Sequence, residues 1–448
     1  MSETIYALAS APGRAGVALV RVSGPDSFKS LSVLAGEAVY TPRKAVLRKL
    51  TAPQTGELID HALILPFKAP ASYTGEDIVE YHLHGGVAVV EALLAALAAC
   101  PGHRLAAPGE FTRRAFENGR MDLTEAEAVA DLINAETQAQ RHQALLQMEG
   151  ALSRLYQGWS HILTQNLAHL EADIEFPDED LPEGISPQIR PVIEDLITQI
   201  SAHLDDNRRG ERLRSGVHIA VIGAPNAGKS SLVNALAQRD VAIVSALAGT
   251  TRDIVEIHLD LGGYPAILAD TAGLRPEQIG QEGQESIESE GIRRALKRAE
   301  EADIRLLLFD GTQKMPDAHT LALCGERAVI ALNKADCGLK MDRDAFGGHP
   351  VVSLSVQTGE GLEALTGALL ARIKNLIGLR EAPSLTRARH REALEEAKAS
   401  LSRSLTAPLQ ELSAEDLRLA LRALGRITGR VSAEDLLDVI FSDFCIGK

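Results

Sequence analysis

The chain is poor in cysteine, poorer in basic than in acidic residues, and lacks a long apolar run. Each shortage closes off a class of function. Its four cysteines, Cys100, Cys324, Cys337 and Cys445, are scattered without metal-type spacing, which suits a reducing cytoplasm. Against 61 acidic residues stand 46 Lys and Arg, a net charge of −15. That balance argues against non-specific coating of nucleic acid, which needs a basic field. It leaves room for a local basic patch, or for RNA held partly by a partner protein. The longest apolar stretch, Val87 to Cys100, is interrupted by Glu91 and is too short to span a bilayer. Met1-Ser2-Glu3-Thr4 lacks the basic and then apolar regions of a signal peptide, and no low-complexity tract stands out. No membrane association is expected.

What is present names a ligand class. The run Gly223-Ala224-Pro225-Asn226-Ala227-Gly228-Lys229-Ser230 is a phosphate-binding loop. Its glycines let successive N–H groups turn inward at phosphate oxygens, Lys229 can reach the β- and γ-phosphates, and the Ser230 hydroxyl is placed to ligand Mg²⁺. The apolar run His218 to Ile222 precedes it, and a helix from Ser231 to Gln238 would point its N-terminus at the anion. Three further motifs follow in order. Asp270-Thr271-Ala272-Gly273 ends the apolar segment Tyr264 to Ala269, where a carboxylate can hold the Mg²⁺ shell. Asn333-Lys334-Ala335-Asp336 follows the strand pattern Ala328 to Leu332. A fixed carboxylate at Asp336 accepts from the N1–H and 2-amino edge of guanine, donors that adenine lacks. Ser355-Val356-Gln357-Thr358-Gly359, after Val351 to Leu354, resembles the last guanine-supporting loop of small GTPases. Together they specify GTP rather than ATP.

At 448 residues the chain is long enough for about two to four domains. Residues 1–118 alternate strand-like segments (Thr4 to Ala9, Gly16 to Val22, Asp77 to Leu83) with a buried helix, Val87 to Ala99. From Met121 the composition turns helical. Thr124-Glu125-Ala126-Glu127 reads as a capping box opening helix to about Leu155, with more helix to about Arg214, broken near Phe176 to Pro187. An α/β nucleotide-binding unit occupies 216–376. Helical composition returns in 377–448, with looser boxes at Ser413-Ala414-Glu415-Asp416 and Ser432-Ala433-Glu434-Asp435. One helical domain (119–215 with 377–448) interrupted by an inserted GTPase is the economical arrangement, and two separate helical domains are the alternative.

Hydrolysis poses a separate question. Ras-like enzymes place a water-orienting glutamine after Asp-x-x-Gly, and here that place holds Leu274. Either hydrolysis depends on a protein partner, or charge and water positioning come from elsewhere in the chain. The Asn226 side-chain carbonyl could bind a monovalent cation beside the phosphates and supply charge in place of an arginine finger. Ser245-Ala246-Leu247-Ala248-Gly249-Thr250-Thr251-Arg252-Asp253 reads as the first switch, with Thr251 as a Mg²⁺ ligand. Backbone carbonyls near Ser245 and Leu247 could complete the cation site.

The phosphate loop with Asn226 and the segment Ala248 to Asp253 look like those of potassium-dependent GTPases. More specific are Pro12-Gly13-Arg14-Ala15-Gly16, Tyr73-Thr74-Gly75-Glu76-Asp77 and Pro108-Gly109-Glu110-Phe111-Thr112. To these is added the ending Phe441-Ser442-Asp443-Phe444-Cys445-Ile446-Gly447-Lys448, a Cys-x-Gly-Lys tail. Over essentially its whole length the chain resembles the MnmE (TrmE) family of tRNA-modification GTPases. The resemblance implies a folate-binding-like α+β domain, a discontinuous helical domain and an inserted Ras-like P-loop GTPase domain. It implies a K⁺-dependent GTPase that dimerises through its G domains. Asn226, Thr250 and the carbonyls of Ser245 and Leu247 would then take K⁺, while Ser230 and Thr251 take Mg²⁺. The family's water-orienting glutamate, which precedes a Gly-Ile pair, falls on Glu288 in Glu288-Ser289-Glu290-Gly291-Ile292, with Glu282 and Glu285 as rivals. Lys229 and Glu288 are thus the catalytic candidates of the GTPase.

The same resemblance implies a reduced tetrahydrofolate as one-carbon donor, contacted by Arg21, Glu80, Arg120 and Lys448. It implies a functional thiol at Cys445, whose other readings are a packed small residue or a poorly fitting prenylation box. His82 and His84 share one face of a strand and, without a third ligand, point to no zinc site. The implied activity adds a carboxymethylaminomethyl group to C5 of the wobble uridine of certain tRNAs. It would act in a heterotetramer of the homodimer with the flavoprotein MnmG (GidA), which brings FAD and NADH. The alternative is a regulatory or ribosome-assembly GTPase that modifies nothing.

Overall fold

Apolar–polar alternation lays down the first sheet. In the strand Ile78–Gly85 the side chains of Val79, Tyr81 and Leu83 are buried, while Glu80, His82 and His84 alternate to the other face, as a period of two requires. The computed structural model describes residues 3–37, 40–175, 188–239, 242–243, 256–270, 300–378, 384–431, 434–442 and 444–448. Its first sheet contains β1 (Thr4–Leu8), β2 (Ala15–Ser23), β3 (Val46–Thr51), β4 (Leu58–Phe67), β5 (Ile78–Gly85) and β6 (His103–Leu105) in the order β3-β4-β5-β2-β1-β6. All pairs are antiparallel except β1 with β6. Helices α1 (Ser27–Ala35) and α2 (Val87–Ala98) cover one face through Leu31, Leu34, Leu93 and Leu97. α2 is not the buried helix that its composition suggests: only Leu93, Ala96 and Leu97 are buried, and Val87 is exposed. On the opposite face Ile5, Ala7, Ala106 and Phe111, the last from α3 (Glu110–Glu117), form a small core of their own.

The helical run is shorter-pieced than periodicity indicates. It is divided into α4 (Leu123–Ile133), α5 (Gln138–Met148) and α6 (Ala151–Glu175), with Gly150 at φ 79° between the last two. The capping box sits two residues earlier than Thr124. Asp122 Oδ1 accepts from the N–H of Thr124 at 2.9 Å and of Glu125 at 3.1 Å, and Glu125 Oε2 accepts from the Asp122 N–H at 2.8 Å. Helices α7 (Arg190–Leu204) and α8 (Arg209–Ser215) lead into the second sheet.

That sheet has the order β12-β11-β10-β7-β9-β8. It comprises β7 (Val217–Ile222), β8 (Glu256–Leu261), β9 (Tyr264–Asp270), β10 (Ile304–Asp310), β11 (Ala328–Asn333) and β12 (Val351–Ser353), parallel throughout except for the β8–β9 pair. Its central strands are apolar on both faces, as a covered parallel sheet needs. Val217, Ile219 and Val221 of β7 serve one core, and Ala220 and Ile222 the other. Helix α9 (Lys229–Ala237) packs into the first core, and α10 (Ala318–Leu321) is a single turn. Helix α11 (Leu362–Ile377) adds a stripe to the first core through Leu362, Leu365, Leu369, Ile373 and Ile377, at helical spacing.

Helices α12 (Ala388–Ser404), α13 (Gln410–Thr428) and α14 (Glu434–Ser442) follow. Ser413 lies inside α13, where its hydroxyl donates to the Ser404 carbonyl at 3.0 Å, so it does not open a helix; Ser432 and Ala433 lie outside the described residues. The chain divides into two units, Met1–Ala130 with Gln147–Ala168 and Arg418–Lys448, and Asp131–Leu146 with His169–Leu417. Within the second, Asp131 Oδ1 accepts from Arg214 at 2.9 Å and from Arg387 at 2.7 Å. These arginines stand just before β7 and just before α12, so the chain's entry to the second sheet and its return from it meet at one carboxylate. Arg391 of α12 closes the same region, pairing with Asp206 at 2.6 Å and Glu211 at 2.8 Å.

Candidate functional site

The phosphate loop is shaped by what its backbone must pass. At Gly223 a Cβ would lie 2.2 Å from the Leu308 carbonyl oxygen, and at Gly228 it would lie 2.3 Å from Asn333 Nδ2. Gly228 (φ 99°) and Asn226 (φ 62°) both take the left-handed conformation, which glycine adopts freely and asparagine tolerates. The loop therefore leaves β7 sharply and opens α9 at Lys229, turning that helix's free N–H groups toward it. Lys229 Nζ folds over the loop, donating to the carbonyls of Gly223 at 2.8 Å and Ala224 at 3.0 Å. Asn226, Ser230 and Ser231 are exposed at its rim, and Ala227 is buried beneath it.

Asn333 joins the loop to the base end. Its Nδ2 donates to the Ala227 carbonyl at 2.9 Å, and its Oδ1 accepts from the Val356 N–H at 3.1 Å. One buried carboxamide thus fixes the phosphate loop against Ser355-Val356-Gln357. Lys334, at φ 65°, pairs with Asp310 Oδ2 at 2.7 Å. Burial pushes the Asp310 carboxyl up, but the bonds from Lys334 and Thr312 outweigh it and leave it below the usual range. Asp336 follows Ala335 in a 3₁₀ turn and stays exposed. The Ser355 hydroxyl, and after it the Cys337 thiol at 3.3 Å, hold the Asp336 carboxyl below its ordinary value. The arrangement presents a carboxylate acceptor on a turn bonded to Ser355, next to the Val356 N–H that Asn333 ties to the glycine-rich loop.

Asp310 and Thr312 were not singled out by motif. The signal was present as an acid ending the apolar run Leu306 to Phe309, one strand over from Asn333. Asp270 is the last residue of β9. Ser245, Ala246, Leu247, Ala248, Gly249, Thr250 and Thr251 lie outside the described residues, as do Thr271, Ala272, Gly273, Leu274, Glu282, Glu285 and Glu288.

A second cluster occupies the face of the first sheet opposite α1 and α2. Arg21 of β2 and Glu80 of β5 are cross-strand neighbours. Arg21 Nε and Nη2 both reach Glu80 Oε1, at 2.9 and 2.8 Å. The guanidinium lies over the Tyr73 ring at 5.1 Å and the Phe111 ring at 5.7 Å, which adds cation–π attraction. These rings come from the two motifs whose chemistry the sequence left unassigned. Tyr73 Oη and Thr112 Oγ1 are 2.8 Å apart, and Glu76 accepts from Arg114 at 3.1 Å. The motifs build the floor under Arg21.

The C-terminal tail reaches this cluster. Phe441 and Phe444 pack with Leu123, Ala126 and Leu437, and Ile446 bridges to Pro108. A Cβ on Gly447 would lie 2.2 Å from the Leu8 carbonyl oxygen, so the tail lies directly on β1. Burial and then Arg21 push the Lys448 ammonium below its ordinary value, against opposing pulls from Glu80 and Cys445. Lys448 is therefore within electrostatic reach of all three. Cys445 is exposed. Arg120 is exposed and runs past Gly75, whose added Cβ would be 3.3 Å from Arg120 Cγ. Among the described residues it makes no bond to Arg21, Glu80 or Lys448. His84 pairs with Asp60 at 2.8 Å.

Two family models match the chain: the N-terminus of the GTP-binding protein TrmE over residues 4–120 and the MnmE helical domain over residues 123–445. The tRNA modification GTPase MnmE of Parvibaculum lavamentivorans is 54% identical over 451 residues, covering 100% of both chains. The mitochondrial 5-taurinomethyluridine-tRNA synthase subunit of Danio rerio is 46% identical, covering 100% of this chain and 93% of its own. The solved G domain of the T. maritima FeoB iron transporter is 30% identical, covering 36% of this chain and 98% of that one, with a TM-score of 0.25.

Proposed function

The chain belongs to the MnmE family of tRNA modification GTPases, and from that premise we propose that it serves the transfer of a one-carbon unit to tRNA. GTP hydrolysis is its own enzymatic activity. In our reading the product is a carboxymethylaminomethyl group at C5 of the wobble uridine. A flavoprotein partner of the MnmG type supplies FAD and NADH, and a reduced tetrahydrofolate supplies carbon at the sheet face. The observation that carries this is the Arg21–Glu80 pair with the Lys448 ammonium beside it. A GTPase that only signals has no use for that cluster. Glu80 offers an acceptor to the donor face of a pterin, and Lys448 and Arg120 offer charge to the glutamate tail's carboxylates.

For the GTPase, Lys229 would meet the β- and γ-phosphates, Ser230 with Thr251 would hold Mg²⁺, and Asn226 with Thr250, Ser245 and Leu247 would hold K⁺. These are hard oxygen donors for both cations. The exposed rim positions of Asn226 and Ser230 fit that assignment. A bound cation supplies charge opposite the phosphates. Asp336 reads guanine, and Glu288 orients water. A homodimer acting through its G domains completes this reading. Mass spectrometry of wobble uridines tests the whole: cells lacking the protein lose the modified base, and Glu80→Gln fails to restore it. Unchanged uridines in the deletion strain would sink the reading. Turnover compared in K⁺ and Na⁺ tests the cation, since equal rates would remove the role of Asn226.

A further inference from the structure

On the face of the first sheet opposite α1 and α2, Glu80 has one oxygen engaged and one not. Both Arg21 donors, Nε and Nη2, converge on Oε1 at 2.9 and 2.8 Å. Oε2 accepts no hydrogen bond among the described residues and lies 3.9 Å from His82 Nε2. His82 is two residues along β5, so its ring is on the same face as Glu80 and Arg21, between Leu19 of β2 and Leu63 of β4. The ring keeps 32% of its surface, yet its Nε2 is covered and has no hydrogen-bond partner among the described residues. A covered polar nitrogen without a partner carries a desolvation cost, and in a native structure it calls for a reason. His84, the next residue on that face, shows the contrast: its ring is paired with Asp60.

We propose that His82 is a further specificity-determining residue of the sheet-face site, reading the lactam edge of a pterin alongside Glu80. The inference rests on the folate reading of that site. A neutral imidazole protonated at Nε2 is a donor, and Glu80 Oε2 beside it is an acceptor. Adjacent donor and acceptor complement a lactam, in which C=O and N–H stand side by side. The pterin carbonyl takes the His82 proton, and its ring N–H gives to Glu80 Oε2. Arg21 does not compete, because it keeps Oε1. The pair discriminates: a 4-amino pterin demands the opposite tautomer of His82 and turns an unprotonated ring nitrogen to Glu80 Oε2, so that two acceptors are opposed.

The test is equilibrium binding to the full-length protein of 5-formyl-tetrahydrofolate and of its 4-amino counterpart, with circular dichroism to confirm that each variant is folded. His82→Leu is expected to bind the 4-oxo compound about fivefold to tenfold more weakly, the effect of one neutral hydrogen bond, and to lose most of the preference over the 4-amino compound. His82→Gln, which restores an N–H donor, is expected to stay within about threefold of wild type by the same reckoning. If His82→Leu keeps affinity and preference while Glu80→Gln loses binding, the inference fails and the folate reading stands. If His82→Gln falls as far as His82→Leu, the hydrogen-bond role is overturned in favour of packing. If the wild-type protein does not bind 5-formyl-tetrahydrofolate, the folate reading fails and takes the inference with it.

Discussion

Replacing Asn333 by alanine cuts the link between the two ends of the nucleotide site. The side chain is 4% exposed, and it satisfies the Ala227 carbonyl and the Val356 N–H at 2.9 and 3.1 Å. Alanine fills neither role. Ala227 is fully buried, so its carbonyl cannot turn to water, and leaving it unpaired costs about 1–3 kcal/mol. Val356 is only partly buried, so water offsets much of its loss and the low end of that range applies. The bonds exist in the free protein too, so part of the loss appears as reduced stability. The rest appears when nucleotide must realign loops that Asn333 no longer holds. A loss of about 1.4–2.8 kcal/mol in binding is tenfold to a hundredfold in Kd for GDP, read by titration with a fluorescent GDP. Asn333→Asp should be worse at the phosphate end, since it sets an oxygen against the Ala227 carbonyl while keeping the acceptor for Val356. An Asn333→Ala protein that binds GDP within twofold of wild type would refute the reasoning.

Asp336→Asn exchanges an acceptor-only group for an amide with a donor, so affinity should move from guanine toward xanthine nucleotides. Competition between GTP and XTP measures this, and retained GTP preference would remove Asp336 from base recognition. Gly447→Ala places a Cβ 2.2 Å from the Leu8 carbonyl oxygen at φ 98°, so the tail should lift from β1. Faster proteolysis and amide exchange over 441–448 are expected, and unchanged protection would contradict the docking. His203 is pushed down to about 4 from 6.5, first by burial, with His390 and Arg391 adding to it against Asp206. Its native pKa lies below its unfolded one, so its contribution is full above pH 6.5 and is lost as pH falls toward 4. The full shift corresponds to about 3 kcal/mol, and partial exposure reduces it to about 2 kcal/mol. Protection of the α7 amides against exchange, corrected for the intrinsic pH dependence of exchange, should weaken from pH 7.5 to 5 in wild type and less in His203→Leu; equal weakening would exclude His203 as the cause.

Local signals carried most of what the sequence revealed. Strands β1, β2, β5, β7, β9, β11 and β12 announce themselves by alternation or by apolar runs. The phosphate loop is legible because its chemistry is held in eight consecutive residues. What failed was arbitration between equivalent local signals. Asp122 and Thr124 both begin a cap-x-x-Glu pattern, and only the reciprocal bonds of Asp122 with Glu125 decide between them. Ser413 looks like a cap but reaches back to Ser404, a choice made by the packing of two helices. Register was also invisible. Arg21 and Glu80 are 59 residues apart, and nothing local says that they face each other; family resemblance assigns both to one ligand but does not pair them. Lys334 with Asp310, and Tyr73 with Arg21, escaped for the same reason.

The two sites are fixed by different physics, and that determines how each should respond to change. Around the phosphate loop the groups we propose for recognition are main-chain N–H donors, placed by Gly223, Gly228 and the Asn333 carboxamide. A Cβ on Gly223 meets the Leu308 main-chain oxygen at 2.2 Å, which no rotamer relieves, and one on Gly228 meets the Asn333 carboxamide at 2.3 Å, which cannot move without giving up its bonds to Ala227 and Val356. Substitutions there should act steeply, and salt should change them little. On the sheet face the groups we propose for recognition are side chains, Arg21, Glu80 and His82, standing on strands whose buried side is packed by Val20, Val79 and Tyr81, with Lys448 on the tail beside them. The strands hold their positions when one such side chain is replaced, so each substitution removes a charge or a hydrogen bond and leaves the frame intact. Effects on that face should therefore be graded and sensitive to pH and ionic strength. Lys448 is the exception that joins both regimes: its charge belongs to the cluster, but its position depends on Gly447 lying against Leu8. Replacing Lys448 and lifting the tail with Gly447→Ala should thus weaken anion binding alike, while only the second alters amide exchange at Gly109, whose N–H donates to the Cys445 carbonyl.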